Sequence, residues 1–308
     1  MNIFNEDIDF AAEKGHTDVV IELIENGFNA NLADSRGRTP LHKAAMWGHV
    51  KTVRALIEHG ANASARNDLR ETALHIAAEY DQTETVEAIL DLKPNIVDKK
   101  DLCGNTALHW AAMKGNYYII KELIKLYKEN QIELDKKNYY GVTPFMLANL
   151  RQDKYICELF YENVVDVNEQ DNEGNSIAHL IAALGDVKWL KYMIKKFNVN
   201  CYLKNNLGNT PFIQAILNEN VECVDFFIEM FKNSQQLIST NINWRNKFGQ
   251  TPLHAAVFTG NTKIIEILLK NKADISAIDA NELTPYHYAY INEKEDVIKT
   301  IHKILNVK

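Results

Sequence analysis

The sequence predicts an all-α protein: a solenoid of about nine helix-turn-helix repeats joined by β-hairpin-like fingers. Three observations carry the prediction. A four-residue phrase recurs along the chain at nearly constant spacing, most copies begin with helix-start chemistry, and each is followed by an apolar stripe of helical period. At 308 residues the chain exceeds the usual size of one compact core, so the choice lies between two domains and one elongated array.

The phrase reads Thr39-Pro40-Leu41-His42, Thr72-Ala73-Leu74-His75, Thr106-Ala107-Leu108-His109 and Thr143-Pro144-Phe145-Met146. It continues as Ser176-Ile177-Ala178-His179, Thr210-Pro211-Phe212-Ile213, Thr251-Pro252-Leu253-His254 and Thr284-Pro285-Tyr286-His287. Successive copies start 33, 34, 37, 33, 34, 41 and 33 residues apart.

Each phrase should start a helix. Thr39 is a good N-cap, and Pro40 suits the first helical position, where its missing N–H costs nothing. Ala44 and Ala45 are small enough for a second helix to approach closely, and Gly48 suits the left-handed residue that ends a two-turn helix. Val53, Leu56 and Ile57 then recur at helical spacing, as do Val20, Leu23 and Ile24 earlier and Ile265, Leu268 and Leu269 later. That stripe is the expected core between repeats.

An Asp or Asn precedes each phrase (Asp34, Asn67, Asp101, Asn138, Asp171, Asn205, Asn246, Asp279), usually with Gly three residues on. This is type I turn chemistry, so these segments are predicted to be projecting fingers. Phe10 to His16 with Val19, Val20, Leu23 and Ile24 reads as a helix pair that has lost its phrase, an N-terminal cap over 1–33. Internal repeats follow at 34–66, 67–100, 101–137, 138–170, 171–204, 205–245 and 246–278. A C-terminal cap fills 279–308, where His302, Lys299 and Lys303 add polarity, so one array complete at both ends is expected. The two stretched repeats, near 127–131 and 232–240, are expected to carry surface-loop insertions.

A period near 33 with this phrase resembles the ankyrin repeat. The resemblance implies that the phrase histidines bond locally to turn and cap. It also implies that a partner protein is bound by finger tips and the exposed side of the first helices. Carried over position by position, these places hold Arg36, Trp47, Tyr80, Met113, Tyr139 and Tyr140, a nearly continuous stripe along the first half. A second group, Trp244, Phe248 and Phe258, lies near the longer insertion. Trp, Tyr and Arg are enriched in interface hot spots; the other reading is that some of these rings pack into neighbouring fingers, and Trp110 is expected to be half-buried. Asp166-Val167-Asn168 matches the finger asparagine that ankyrin proteins present to an asparagine hydroxylase.

The family pattern weakens in two repeats. Met146 and Ile213 replace the His, and Gln152 and Glu219 stand where Gly is expected. Residues 143–245 are therefore expected to be less stable locally than 34–125.

Apolar residues make up 46% and charged residues 24%, ordinary for a folded protein, and the net charge of −7 disfavours nucleic acid in the absence of a basic stripe. No apolar run reaches the ~20 residues that span a bilayer, and Met1 to Phe10 lacks the pattern of a cleaved signal. The four cysteines (Cys103, Cys157, Cys201, Cys223) form no close CxxC pair. Cys157 and Cys223 fall on core positions and Cys103 on a finger without a base beside it. No phosphate loop, GxSxG, HExxH or GxGxxG occurs.

The expected function is that of a non-enzymatic, cytoplasmic, monomeric scaffold or adaptor that binds protein, with no catalytic residue, metal or cofactor. The Lys-, Asn- and Ile-rich wording leaves open a secreted effector of an intracellular bacterium or parasite that targets a host protein. An enzyme with a groove-borne site is the third class, which a deep pocket of perturbed ionisable groups would reveal.

Overall fold

The structure is a computed structural model that describes residues 7–163, 165–233 and 235–305. The part of the signal-peptide reading that falls on residues 1–6 lies outside them. Contacts divide the chain into two compact units, Met1–Asp166 and Val167–Lys308. Among the described residues there is no strand beyond an isolated antiparallel bridge between Gln170 and Ser176.

The first unit stacks the helix pairs α1/α2 (Ile8–Lys14, Thr17–Glu25), α3/α4 (Pro40–Met46, Val50–Glu58), α5/α6 (Ala73–Glu79, Thr83–Leu92), α7/α8 (Ala107–Lys114, Tyr117–Glu129) and α9/α10 (Pro144–Leu150, Lys154–Glu162). The second stacks α11/α12 (Ile177–Leu184, Val187–Phe197), α13/α14 (Pro211–Leu217, Val221–Phe231), an added α15 (Gln235–Ile242), α16/α17 (Pro252–Thr259, Thr262–Lys270) and α18/α19 (Pro285–Ile291, Glu295–Leu305). Within each unit, first helices pack on first helices and second on second. The seam between them holds Leu41, Leu56, Leu74, Ile89, Phe145 and Phe160 in one unit and Phe197, Phe212, Phe227 and Phe231 in the other, all buried. Each such side chain contributes about 1.5–3 kcal/mol by leaving water.

The stretched repeats differ from expectation. The first lengthens α8 to 13 residues in place of growing a loop. The second builds α15, whose Ile242 is buried and which packs on α14. In both, added residues keep their backbone donors and acceptors paired by remaining helical.

Each finger is built by its first residue. The Asp34 carboxylate Oδ1 accepts from the N–H groups of Arg36 and Arg38, and the Asp34 N–H donates to the Arg38 carbonyl. Asn67, Asp101, Asn138, Asp171, Asn205, Asn246 and Asp279 repeat the pattern. Neighbouring fingers then join through single backbone bonds, such as Asp68 N–H to Arg36 O and Leu102 N–H to Leu69 O.

The phrase histidine couples one repeat to the next. His42 Nδ1 accepts from the Thr39 N–H at 3.1 Å, while its Nε2 lies 3.0 Å from the Glu71 carbonyl of the following finger. His75, His109, His179 and His254 do the same toward Asn105, Val142, Asn209 and Leu283. The local bond to the cap was expected; the reach into the next repeat was not.

The residue that ends each first helix takes positive φ. Gly15, Gly48, Gly115, Gly185 and Gly260 do so freely, while Gln152 (57°) and Glu219 (58°) adopt the same conformation at a cost. Asp81 (59°) and Glu293 (51°) also do so, which sequence reading had missed.

Candidate partner-binding surface

In each repeat, the last turn of the first helix and the tip of the finger share a property. Their backbone is fixed by core packing and by finger bonds, yet their side chains are not needed for either. Large apolar residues at these places therefore remain in solvent. Trp47, which caps α3, is 57% exposed, and Tyr80, which caps α5, is 48% exposed. Tyr140 at a finger tip is 63% exposed, and Phe258 in the last turn of α16 is 59% exposed. Tyr139, Phe248 and Arg36 are also exposed, and Met113 is half-buried.

Two hollows collect part of this set. One, of about 440 Å³, lies between the second and third repeats and is lined by Arg36, Met46, Leu69, Glu79, Tyr80 and Trp110 among others. The other, of about 370 Å³, is lined by Leu207, Ile213, Leu217, Phe248, Phe258 and Tyr288 among others. The structure thus brings Arg36 to Tyr80, and Phe248 to Phe258. Trp47, Met113, Tyr139 and Tyr140 line neither hollow.

Some rings are engaged by their own chain. The Trp110 indole N–H donates to Asp101 Oδ2 at 3.0 Å, and the ring is half-buried. Lys100 Nζ stands 5.7 Å from the Tyr139 ring centre. Trp244 must be withdrawn from the free set: it is half-buried, its N–H donates to the Gly208 carbonyl at 2.9 Å, and Lys204 Nζ covers its face at 3.8 Å. Its place two residues before Asn246, on the finger's ascending arm, explains the difference.

Polar side chains at the second hollow form a continuous hydrogen-bonded chain. Asn246 Nδ2 donates to Asn209 Oδ1 and Gln250 Oε1, Gln250 Nε2 donates to the Tyr288 hydroxyl, and that hydroxyl donates to Asp279 Oδ2 at 2.7 Å. These bonds organise the fingers.

The buried histidines are equally committed, since both ring nitrogens of each have partners. Burial holds all five below the ordinary histidine value, His109 at about 4. Burial pushes the Cys157 and Cys201 thiols up to about 12 and Cys223 up to about 11, which keeps them protonated and unreactive. Cys103 is exposed. Asn168 Oδ1 accepts from the Asn200 N–H at 2.8 Å. Among the described residues no group of three or more His, Cys, Asp or Glu is placed to hold a metal ion, and no helix is long and apolar enough to cross a membrane.

A family model described as ankyrin repeats (3 copies) matches residues 8–100, 91–171, 145–236 and 230–306. The chain belongs to the ankyrin-repeat family. Human transient receptor potential cation channel subfamily A member 1 is 25% identical over 185 residues, which is 60% of this chain and 16% of that protein. Inversin of Canis lupus familiaris is 24% identical over 199 residues, 65% of this chain and 18% of that protein. The putative ankyrin repeat protein FPV244 of fowlpox virus (strain NVSL) is 24% identical over 219 residues, 61% of this chain and 33% of that protein. This ankyrin-repeat chain thus spans about a third or less of the length of these relatives. Among solved structures, the ankyrin repeat domain of Bcl-3 is similar with a TM-score of 0.60 and 23% identity, covering 68% of this chain and 94% of that one. That likeness speaks to the fold alone.

Proposed function

We propose that this ankyrin-repeat chain is a non-catalytic, cytoplasmic scaffold or adaptor that grips a partner protein with its finger tips and first-helix ends. Ankyrin repeats are generally protein–protein interaction modules, which supports the class; the exposed rings support the place. Arg36, Trp47, Tyr80, Met113, Tyr139 and Tyr140 form the contact set of the first unit, and Phe248 and Phe258 that of the second. The observation that carries the reading is the solvent exposure of Trp47, Tyr80, Tyr140 and Phe258 on backbone held rigid by the stack. A rigid aromatic loses little conformational freedom on binding and buries much area.

A photo-crosslinking residue placed at 47, 80 or 258 in the native cell should join the chain to the same protein. The same residue at 125, on the outside of α8, should not. Equal yields from both sides would contradict the assignment.

A further inference from the structure

The second helices carry a pattern that neither the core nor the partner surface explains. Their second, fifth and ninth positions point away from the seam. In the first unit these positions hold Asp18 and Glu25 on α2, Lys51 and Arg54 on α4, Glu84, Glu87 and Asp91 on α6, Lys121 and Lys125 on α8, and Glu158 and Glu162 on α10. The sign changes at every step. Only Glu58 on α4 breaks its row, and Ile21, Tyr118 and Tyr155 are uncharged members. In the second unit α12 presents Lys188, Lys191 and Lys195, and α14 presents Glu222, Asp225 and Glu229 at the same register. All six are exposed.

We propose that this alternation is a stacking code: each second helix is attracted by its sequence neighbour and repelled by the helix two repeats away. Packed helices lie about 8–10 Å apart, near the Debye length of about 10 Å in 0.1 M salt, so facing rows interact without touching. Where side chains are long enough they do touch: Arg54 Nη2 on α4 meets Asp91 Oδ2 on α6 at 2.9 Å. Similar repeats with similar seams can dock out of order, a known hazard of arrays. Skipping one repeat would place acid on acid or base on base. A surface selected only for solubility would mix signs within each outward row. At these positions α17 (Lys263, Glu266, Lys270) and α19 (Asp296, Lys299, Lys303) do mix them, so the code is confined to α2–α10 and α12–α14; α8 also carries Glu122, one position off its row, which pairs with Lys125 at 4.0 Å.

The test is a block cycle in the full chain: wild type, K188E/K191E/K195E, E222K/D225K/E229K, and both together. A cycle cancels what each block does with its other neighbours. In 10 mM salt each single block should lower the melting temperature by a few degrees, and the combined protein should melt well above the sum of the two losses. In 1 M NaCl, where the Debye length is about 3 Å, that excess should vanish. Additive losses at low salt, or an excess that survives 1 M salt, would overturn the proposal. If a reversed block does not fold, the neutral blocks K188Q/K191Q/K195Q and E222Q/D225N/E229Q run the same cycle with a smaller excess, and none at all overturns it.

Discrimination against skipping has its own readout. E84K/E87K/D91K gives α4, α6 and α8 one sign, and it should refold from urea at low salt with lower yield than E84Q/E87Q/D91N. Equal yields would remove the second half of the claim.

Discussion

His179 reaches 30 residues ahead in the chain: its Nε2 lies 3.0 Å from the Asn209 carbonyl while its Nδ1 accepts from the Ser176 N–H. An Nδ1 that accepts carries no proton, so Nε2 is the donor and the ring is neutral. One side chain thereby caps its own helix and ties it to the next finger.

Acid should loosen these ties, and His109 shows the sign. Its ring titrates at about 4 in the fold, below the ordinary 6.5, because burial disfavours the imidazolium. As pH falls, the unfolded chain takes up the proton first; the stabilisation is complete above about 6.5 and is lost on descent toward 4. A shift of this size corresponds to about 3 kcal/mol. His109→Met, the residue the chain itself uses at 146, should flatten the fall in urea midpoint between pH 7 and 4.5. An unchanged fall would show that His109 does not titrate this way.

Glycine exchange should separate conformational strain from collision. A Cβ on Gly104 would stand 2.8 Å from the Tyr139 backbone nitrogen of the next finger, whereas one on Gly60 meets nothing within 4 Å. Both have positive φ, so Gly60→Ala should cost about 1 kcal/mol and Gly104→Ala clearly more. Gln152→Gly should instead stabilise by roughly 0.5–1 kcal/mol. Equal costs at 60 and 104 by chemical denaturation would mean that the finger contact yields easily.

Amide exchange is expected to be faster across 143–245 than across 34–125. Met146 and Ile213 carry no ring nitrogen for the following finger, and Gln152 and Glu219 hold strained φ. The earlier span also has two such residues, Arg70 and Asp81, but keeps all its phrase histidines, so the missing ring ties at 146 and 213 carry the difference. Even protection across both spans would refute the link between these residues and local stability.

What the sequence discloses is what repeats. Thr39-Pro40, the Asp34 finger and the Leu56 stripe each state a local rule, and recurrence turns eight weak signals into one strong one. Features that depend on a neighbour stay hidden: the length of the His42 reach is set by the stacking distance. Asp81 and Glu293 occupy left-handed turns that no residue type announces, and α15 arises where an insertion could equally have been a loop. The proposed binding face is legible in the sequence only as positions. Exposure separates Trp47 and Tyr140 from Trp244, whose indole N–H is taken by Gly208.

The most direct measurement is retention of the native partner by W47A/Y80A/Y140A beside the unaltered chain, with melting temperatures recorded for both. Loss of the partner with a melting temperature within about 2 °C of the original is expected, because these side chains stand in solvent. Retained binding, or a variant that unfolds, would contradict the assignment of these rings to the partner surface.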